Sequence, residues 1–157
     1  MRHIGICNYS GDQVRRAHAA NPNLASLESP YSMLRRGLET ETFPYCNHNG
    51  ISVFPYWPLE QGILTGRYSS RNMPNNATPL MREQIATVER LRPLAIRIGR
   101  PLSQIALSWL LARPGVAAVI PGASRVAQIE ENCGIADWSL SQEEVYEIDQ
   151  LLAGRSA

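Results

Sequence analysis

Four short apolar runs, each followed after a turn by a stretch with helical spacing, constrain the fold of this chain more than any other feature. They are Arg2 to Asn8, Leu24 to Glu28, Ile51 to Tyr56 and Val116 to Ile120. The elements read in the order β, α, β, α, β, loop, α, α, β, α, α. Strands alternating with helices of this length imply right-handed crossovers and a parallel sheet, whose strands are expected to be buried.

Local signals place the elements between. Ser10 or Asp12 caps a helix carrying Val14, Ala17 and Ala20, which stops at Asn21-Pro22. A second helix is expected from about Glu39 to Asn47, with Asn49-Gly50 as a left-handed cap. Pro55 marks where ladder pairing should stop. Residues 69–80, rich in Ser, Asn and Pro, read as an exposed loop or flap. Arg82 to Leu91 and Pro93 to Ile98 read as a helix interrupted at Pro93 and ended by Gly99. Leu102 to Ala112 reads as strongly amphipathic, and Ser141 with Glu144 forms a capping box for the last helix.

The stretch Val119 to Asn132, VIPGASRVAQIEEN, is the most informative chemically. A strand that leaves through Pro121-Gly122 into an amphipathic helix (Val126, Ile129, Cys133) points free N–H groups and a positive helix end at one spot. That spot suits an anion. Ser124 can cap the helix or donate to a phosphate oxygen, and Arg125 offers a fork of donors suited to the extra phosphate of NADP. Ser124, Gln128, Glu131 and Asn132 can share a face beside it, where an adenine or ribose could be read. An ordinary capped surface helix is the plainer alternative for this segment alone.

Composition removes other classes. The 157 residues suffice for one globular domain, 1–157, and a net charge of +1 with no run of like charges argues against nucleic acid. All fifteen basic residues are Arg, which rules out Schiff-base chemistry, a P-loop lysine and a lysine-assisted proton donor within the chain. Cys7, Cys46 and Cys133 are odd in number and far apart, and with His3, His18 and His48 they have no metal-ligand spacing. All six read as structural, and no metal site is expected. The absence of a long apolar run or a signal-peptide pattern sets a soluble, cytoplasmic protein with no membrane partner as the expectation.

A parallel sheet of this kind presents functional residues at the carboxyl ends of its strands. Those ends carry Cys7 and Asn8, Glu28, Tyr56 and Trp57, and Gly122 to Arg125, which would cluster on one rim.

With these motifs in order, the chain resembles the C-terminal half of the aldo-keto reductases, the NADP-dependent (β/α)8-barrel enzymes that also include the β subunits of voltage-gated potassium channels. RHIGICNYS looks like the fifth strand, LESPYSMLRR the sixth, SVFPYWPLEQGILTGRY the seventh and IPGASRVAQIEEN the eighth. The resemblance implies an α/β parallel half-barrel, strands 5 to 8 of a TIM barrel, with NADP as cofactor. It implies that Asn8 holds the nicotinamide carboxamide and Tyr56 stacks on the nicotinamide face. Leu59, Gly62 and Thr65 would line the pyrophosphate, and Gly122, Ser124, Arg125, Gln128, Glu131 and Asn132 would hold the 2′-phosphate and adenine.

Three positions depart from the family pattern: Cys7 where Ser is common, Glu28 where a carboxamide-binding Gln is usual, and Trp57 where Ser usually follows the Tyr. A carboxylate at Glu28 accepts from the carboxamide NH2 but cannot donate to its oxygen. The larger departure is that the family's catalytic Asp, Tyr, Lys and His lie on the first four strands, so no catalytic residue is nominated here. The implied function is that of an NADP-dependent oxidoreductase of carbonyl compounds, present as a truncated chain through gene truncation, a misassigned start or a split gene. The alternative is a non-catalytic NADP-binding or interaction module. Half a barrel leaves two sheet edges and an unpacked lining. Pairing with another copy as a homo-oligomer, completion by a separate N-terminal half that restores the carbonyl substrate site, or poor folding would follow.

Overall fold

The computed structural model describes residues 2–154. They fall into two compact units, one drawn from Met1–Pro58 and Leu110–Gly122, the other from Leu59–Trp109 and Ala123–Ala157.

The first unit is built on a three-stranded parallel sheet in the order β1 (Ile4–Cys7), β2 (Leu24–Pro30), β3 (Ser52–Tyr56). Helix α1 (Gly11–Ala20) starts at Ser10, whose hydroxyl accepts from the Gln13 N–H while the Gln13 side chain accepts from the Ser10 N–H. Helix α2 (Thr42–His48) ends at Asn49, followed by Gly50 in the left-handed region as expected. It begins three residues later than its sequence pattern suggested, because Glu39 is drawn into side-chain bonds with Tyr31 and Arg36. α1 packs on β2 and α2 on β3. Leu27 and Val53, adjacent in register, are buried on the covered face with Ser29 and Pro55. A register shift between Ile4 and Gly5 lets Leu24 and Leu27 both face inward although they are three residues apart. On the opposite face the strand residues alternate with these and are exposed or half-buried.

Two strand expectations change. β1 is not a buried strand: its residues alternate between half-buried and exposed, since among the described residues only β2 pairs with it. The fourth run does not form a strand. Residues 116–120 touch β3 through two isolated parallel bridges, Val53 with Val116 and Tyr56 with Ile120, and are half-buried or exposed. The approach is fixed by Gly115, at φ +82, where a Cβ would fall 2.0 Å from the Asn47 Oδ1. Pro55 does not end the ladder, which runs on to Tyr56 paired with Pro30. Proline removes only a donor, and its carbonyl still accepts from the Ile120 N–H at 2.8 Å.

In the second unit, a kinked 3₁₀ segment (Glu60–Thr65) leads into a loop and then α3 (Pro79–Ile98), capped by Thr78 and ended by Gly99 in the left-handed region. α3 is one helix of 20 residues, and Pro93 lies inside it without interrupting it. The helix is held on both sides of the proline, by buried Leu91, Leu94 and Ala95, and that packing outweighs the lost hydrogen bond. The expected 69–80 loop ends at Thr78, where α3 begins. It is tethered at its start: Arg92 donates to the Gly66 and Tyr68 carbonyls just before it at 2.7 and 3.0 Å, and the Ser70 N–H donates to Glu89 at 3.1 Å.

Helix α4 (Leu102–Leu111) is buried on all sides from Leu102 to Leu110, not on one stripe. Its polar residues find partners: the Gln104 amide donates to the Glu131 carbonyl at 2.8 Å, Ser103 to the Glu131 carboxylate, and the Leu140 N–H donates to Ser108 at 3.1 Å. α5 (Val126–Cys133) has no buried residue, and its expected apolar face is open, with Val126 71% and Ile129 54% exposed. α6 (Gln142–Ala153) carries the expected Ser141–Glu144 capping box and packs on α3, where Glu147 pairs with Arg97.

Candidate functional site

At the carboxyl ends of β1 to β3 the first unit brings Asn8, Glu28, Tyr56 and Trp57 together. The Asn8 N–H donates to the Glu28 carbonyl at 2.9 Å, and the Tyr56 hydroxyl donates to the Asn8 Oδ1 at 2.7 Å. Asn8 sits at φ +61, a left-handed conformation that Asn tolerates better than most residues. That turn lets its backbone meet β2 while its side chain meets β3. The Asn8 amide keeps its two donors, so the cluster offers donors from Asn8, an acceptor at Glu28 and the flat Tyr56 ring.

Trp57 is 51% exposed and also lies at positive φ, +54, a strained position for a bulky side chain. Its ring meets Tyr56 edge-on at 5.5 Å, and the Arg35 guanidinium lies over it at 6.0 Å. Arg35 was not legible as a site residue. It gets there through a turn in which Ser32 and Arg35 exchange backbone hydrogen bonds and the Ser32 hydroxyl accepts from the Arg35 N–H. Cys7, exposed and in no disulfide, is paired in register with Glu28.

Directly after β2 the first unit is tightly bonded. Tyr31, fully buried, donates to Glu39 at 2.6 Å, and Arg36 holds both oxygens of the same carboxylate at 2.8 Å. Burial, then the hydrogen bond to Glu39 and its charge, pushes the Tyr31 phenol well above its ordinary range. Burial likewise raises the Cys46 thiol to about 11. Neither group can act as a base at neutral pH, and both serve the core.

The remaining candidate residues divide between the units. Gly122 closes the first unit and has open space where a Cβ would stand. In the second, Leu59, Gly62 and Thr65 form one local structure: the Leu59 carbonyl accepts from the Gly62 N–H at 2.9 Å, and the Thr65 hydroxyl donates to the Gly62 carbonyl at 2.8 Å. Gly62 at φ +89 follows Glu60 and Gln61 at +45 and +53, a run that needs glycine at its extreme. Thr65 also borders an open groove of about 410 Å³ with Arg92, Ile96, Arg100 and Leu102.

At the start of α5 the Gln128 side-chain carbonyl accepts from the Ser124 N–H at 2.8 Å, the Ser124 hydroxyl at 3.2 Å and the Arg125 N–H at 3.2 Å. The donors expected to meet a phosphate are therefore satisfied by the chain itself. The exposed Arg125 guanidinium has no hydrogen-bond or ion-pair partner among the described residues. Glu131 is turned toward α4 through its bonds to Ser103 and Gln104, and Asn132 is half-buried. Among the described residues no group of His, Cys, Asp or Glu could hold a metal, and no helix is long and apolar enough to cross a membrane.

Comparison with known proteins matches residues 1–153 to the Aldo/keto reductase family. An NADH-specific methylglyoxal reductase of Escherichia coli (strain K12) is 32% identical over 149 residues, 90% of this chain and 45% of that protein. A thermostable aldo-keto reductase solved with the inhibitor epalrestat is 27% identical, with a TM-score of 0.73 over 96% of this chain and 48% of its own. A glycerol dehydrogenase of Gluconobacter oxydans, 24% identical, shares the fold with a TM-score of 0.84 over 99% of this chain and 50% of its own. The chain spans about half the length of the curated relatives it matches. With the family matched along nearly its whole length, the chain belongs to the aldo/keto reductases.

Proposed function

We propose that this chain is the nicotinamide dinucleotide-binding half of an oxidoreductase that acts on carbonyl compounds, equivalent to strands 5 to 8 of a (β/α)8 barrel. The observation that carries the reading is the Asn8–Tyr56 bond at the strand ends, which fixes an aromatic ring beside unspent amide donors. The dinucleotide, when bound, supplies the hydride. Tyr56 covers one face of its ring, Asn8 donates to the carboxamide oxygen, and Glu28 accepts from the carboxamide NH2. Leu59, Gly62 and Thr65 take the pyrophosphate.

Ser124 and Arg125 would hold the phosphate on the adenosine side, giving up their bonds to the Gln128 carbonyl. Gln128, Glu131 and Asn132 then border the adenine. The donor set fits such a group, because Arg125 is open and the Gln128 contact is an exchangeable surface hydrogen bond. NADP in preference to NAD rests on Arg125 alone, and one relative, of E. coli, is named NADH-specific.

No residue here is assigned the proton transfer. The chain has no lysine to lower a tyrosine pKa, so by itself it binds and orients but does not reduce. A binding-only role, as a non-catalytic cofactor-binding module, is the second reading, and the same absence favours it. Fluorescence titration of the purified chain with NADPH and NADH tests the first step. Tighter binding of NADPH, lost by roughly tenfold or more in Arg125→Ala, supports the assignment, given ~1.5–3 kcal/mol for a charged hydrogen bond. Equal affinity for both, unchanged by the substitution, refutes the phosphate assignment. Turnover of methylglyoxal by the chain alone would refute the incapacity for reduction.

A further inference from the structure

The open face of the β1–β3 sheet carries a single charged side chain among its strand residues, Glu28. Cys7, Glu28 and Phe54 stand side by side in register across the three strands, and Tyr56 follows Phe54 two residues on. Glu28 and Tyr56 therefore share that face, one pleat apart. The Glu28 side chain is exposed, and no hydrogen bond or ion pair engages its carboxylate among the described residues. At this end the Arg35 guanidinium lies over the Trp57 ring. The Asn8 link fixes the arrangement, since it bonds the Glu28 carbonyl through its backbone and the Tyr56 hydroxyl through its side chain.

We propose that Glu28 sets the preference of the site between the two redox forms of its cofactor, holding the oxidised form more tightly than the reduced one. This rests on the reading that the nicotinamide ring stacks on Tyr56. The two forms offer nearly the same shape and the same carboxamide, so stacking and hydrogen bonding bind them alike. They differ in charge: the oxidised ring is a cation and the reduced ring is neutral. A carboxylate one pleat from the stacking ring attracts only the first, and on an exposed face water and salt keep the discrimination to roughly three- to tenfold. For a two-electron couple a tenfold ratio lowers the potential of the bound cofactor by about 30 mV, which makes it a stronger hydride donor.

The test is the ratio of dissociation constants for NADPH and NADP⁺, measured by calorimetric titration of the chain and of Glu28→Gln at low and at high salt. The substitution keeps size and one carbonyl acceptor and removes the charge, and the NH2 donor it adds meets the same carboxamide in both redox forms, so that change cancels in the ratio. The expected result is a ratio that falls roughly three- to tenfold in Glu28→Gln, through weaker binding of NADP⁺ with NADPH little changed, and a wild-type ratio that shrinks as salt rises. A ratio unchanged by the substitution, with both forms still bound, overturns the proposal and leaves the cofactor reading standing. Equal loss of both forms also overturns it, because Glu28 would then act through the carboxamide, and Glu28→Ala separates that loss from misfolding when both are followed by circular dichroism. Failure of the unaltered chain to bind either form overturns the cofactor reading and the proposal together.

Discussion

The strand ends of the first unit and the turn before α5 in the second each carry residues proposed to bind a dinucleotide, yet they are built in opposite ways. At the strand ends, one asparagine in a left-handed conformation ties β2 to β3, above a face whose Leu27 is 0% exposed. At the α5 turn, the helix has no buried residue, and the Ser124 and Arg125 N–H groups just before it are satisfied by its own Gln128. The first is a preformed surface held by the core beneath it. The second exchanges an internal bond for an external one. Preorganisation at one end and exchange at the other predict that geometry limits nicotinamide binding, while competition limits phosphate binding.

Substitutions beneath the two regions should expose the contrast. Leu27→Ala opens a cavity under the strand ends and should cost about 2–5 kcal/mol, measured by urea unfolding. Ile129→Ala on the open face of α5 should cost less than about 0.5 kcal/mol in the same assay. Comparable losses would mean that α5 is covered in solution, as expected if a second copy or another half-barrel packs there.

Of intermediate size is the effect of Asn8→Ala. It removes the Tyr56 bond and should weaken dinucleotide binding by roughly five- to tenfold, from about 1 kcal/mol for the lost hydrogen bond, and it should also cost about 1 kcal/mol of stability because Ala tolerates the left-handed conformation less well than Asn. Gln128→Ala should act the other way on the phosphate turn. It gives up an exposed cap worth about 0.5–1 kcal/mol and frees the donors, so NADPH affinity should hold or rise by isothermal titration. A sharp fall would show that Gln128 is a ligand contact in its own right.

Alkaline pH supplies a separate probe, local to the first unit. Tyr31 and Cys46 both have raised folded-state pKa values, so their contribution is complete below the unfolded values, near 10 and 9, and is lost as pH rises through the folded ones. Thermal stability should fall from about pH 9 to 11 for the thiol and continue to fall above pH 10 for the phenol. Cys46→Ala should flatten the first part of that decline and Tyr31→Phe the second.

The sequence was informative where the chemistry is local. The Ser10 and Ser141 caps, the Gly99 terminus and the left-handed Gly50 were all legible, because each depends on residues within one turn. The parallel order of the first three strands was legible from their alternation with helices. What one chain could not show was which neighbours a strand or helix would have. Ile4 to Cys7 reads as apolar but lies at an edge, Val116 to Ile120 pairs by two bridges only, and Val126 and Ile129 stay open. Pro93 obeys the local rule for breaking a helix but yields to packing on both sides. At the candidate site the residue types were legible and their bonds were not. Asn8 and Tyr56 stand 48 positions apart, and Arg35 reaches Trp57 through a turn centred on a buried serine.

Hydrogen–deuterium exchange of the chain with and without NADPH tests the central claim most directly, because it locates the ligand on the backbone. Slowed exchange at residues 5–9, 28–31 and 54–58 together with 122–128 is the expected result. Bound NADPH that leaves the three strand ends unprotected, or protects only other segments, would contradict it.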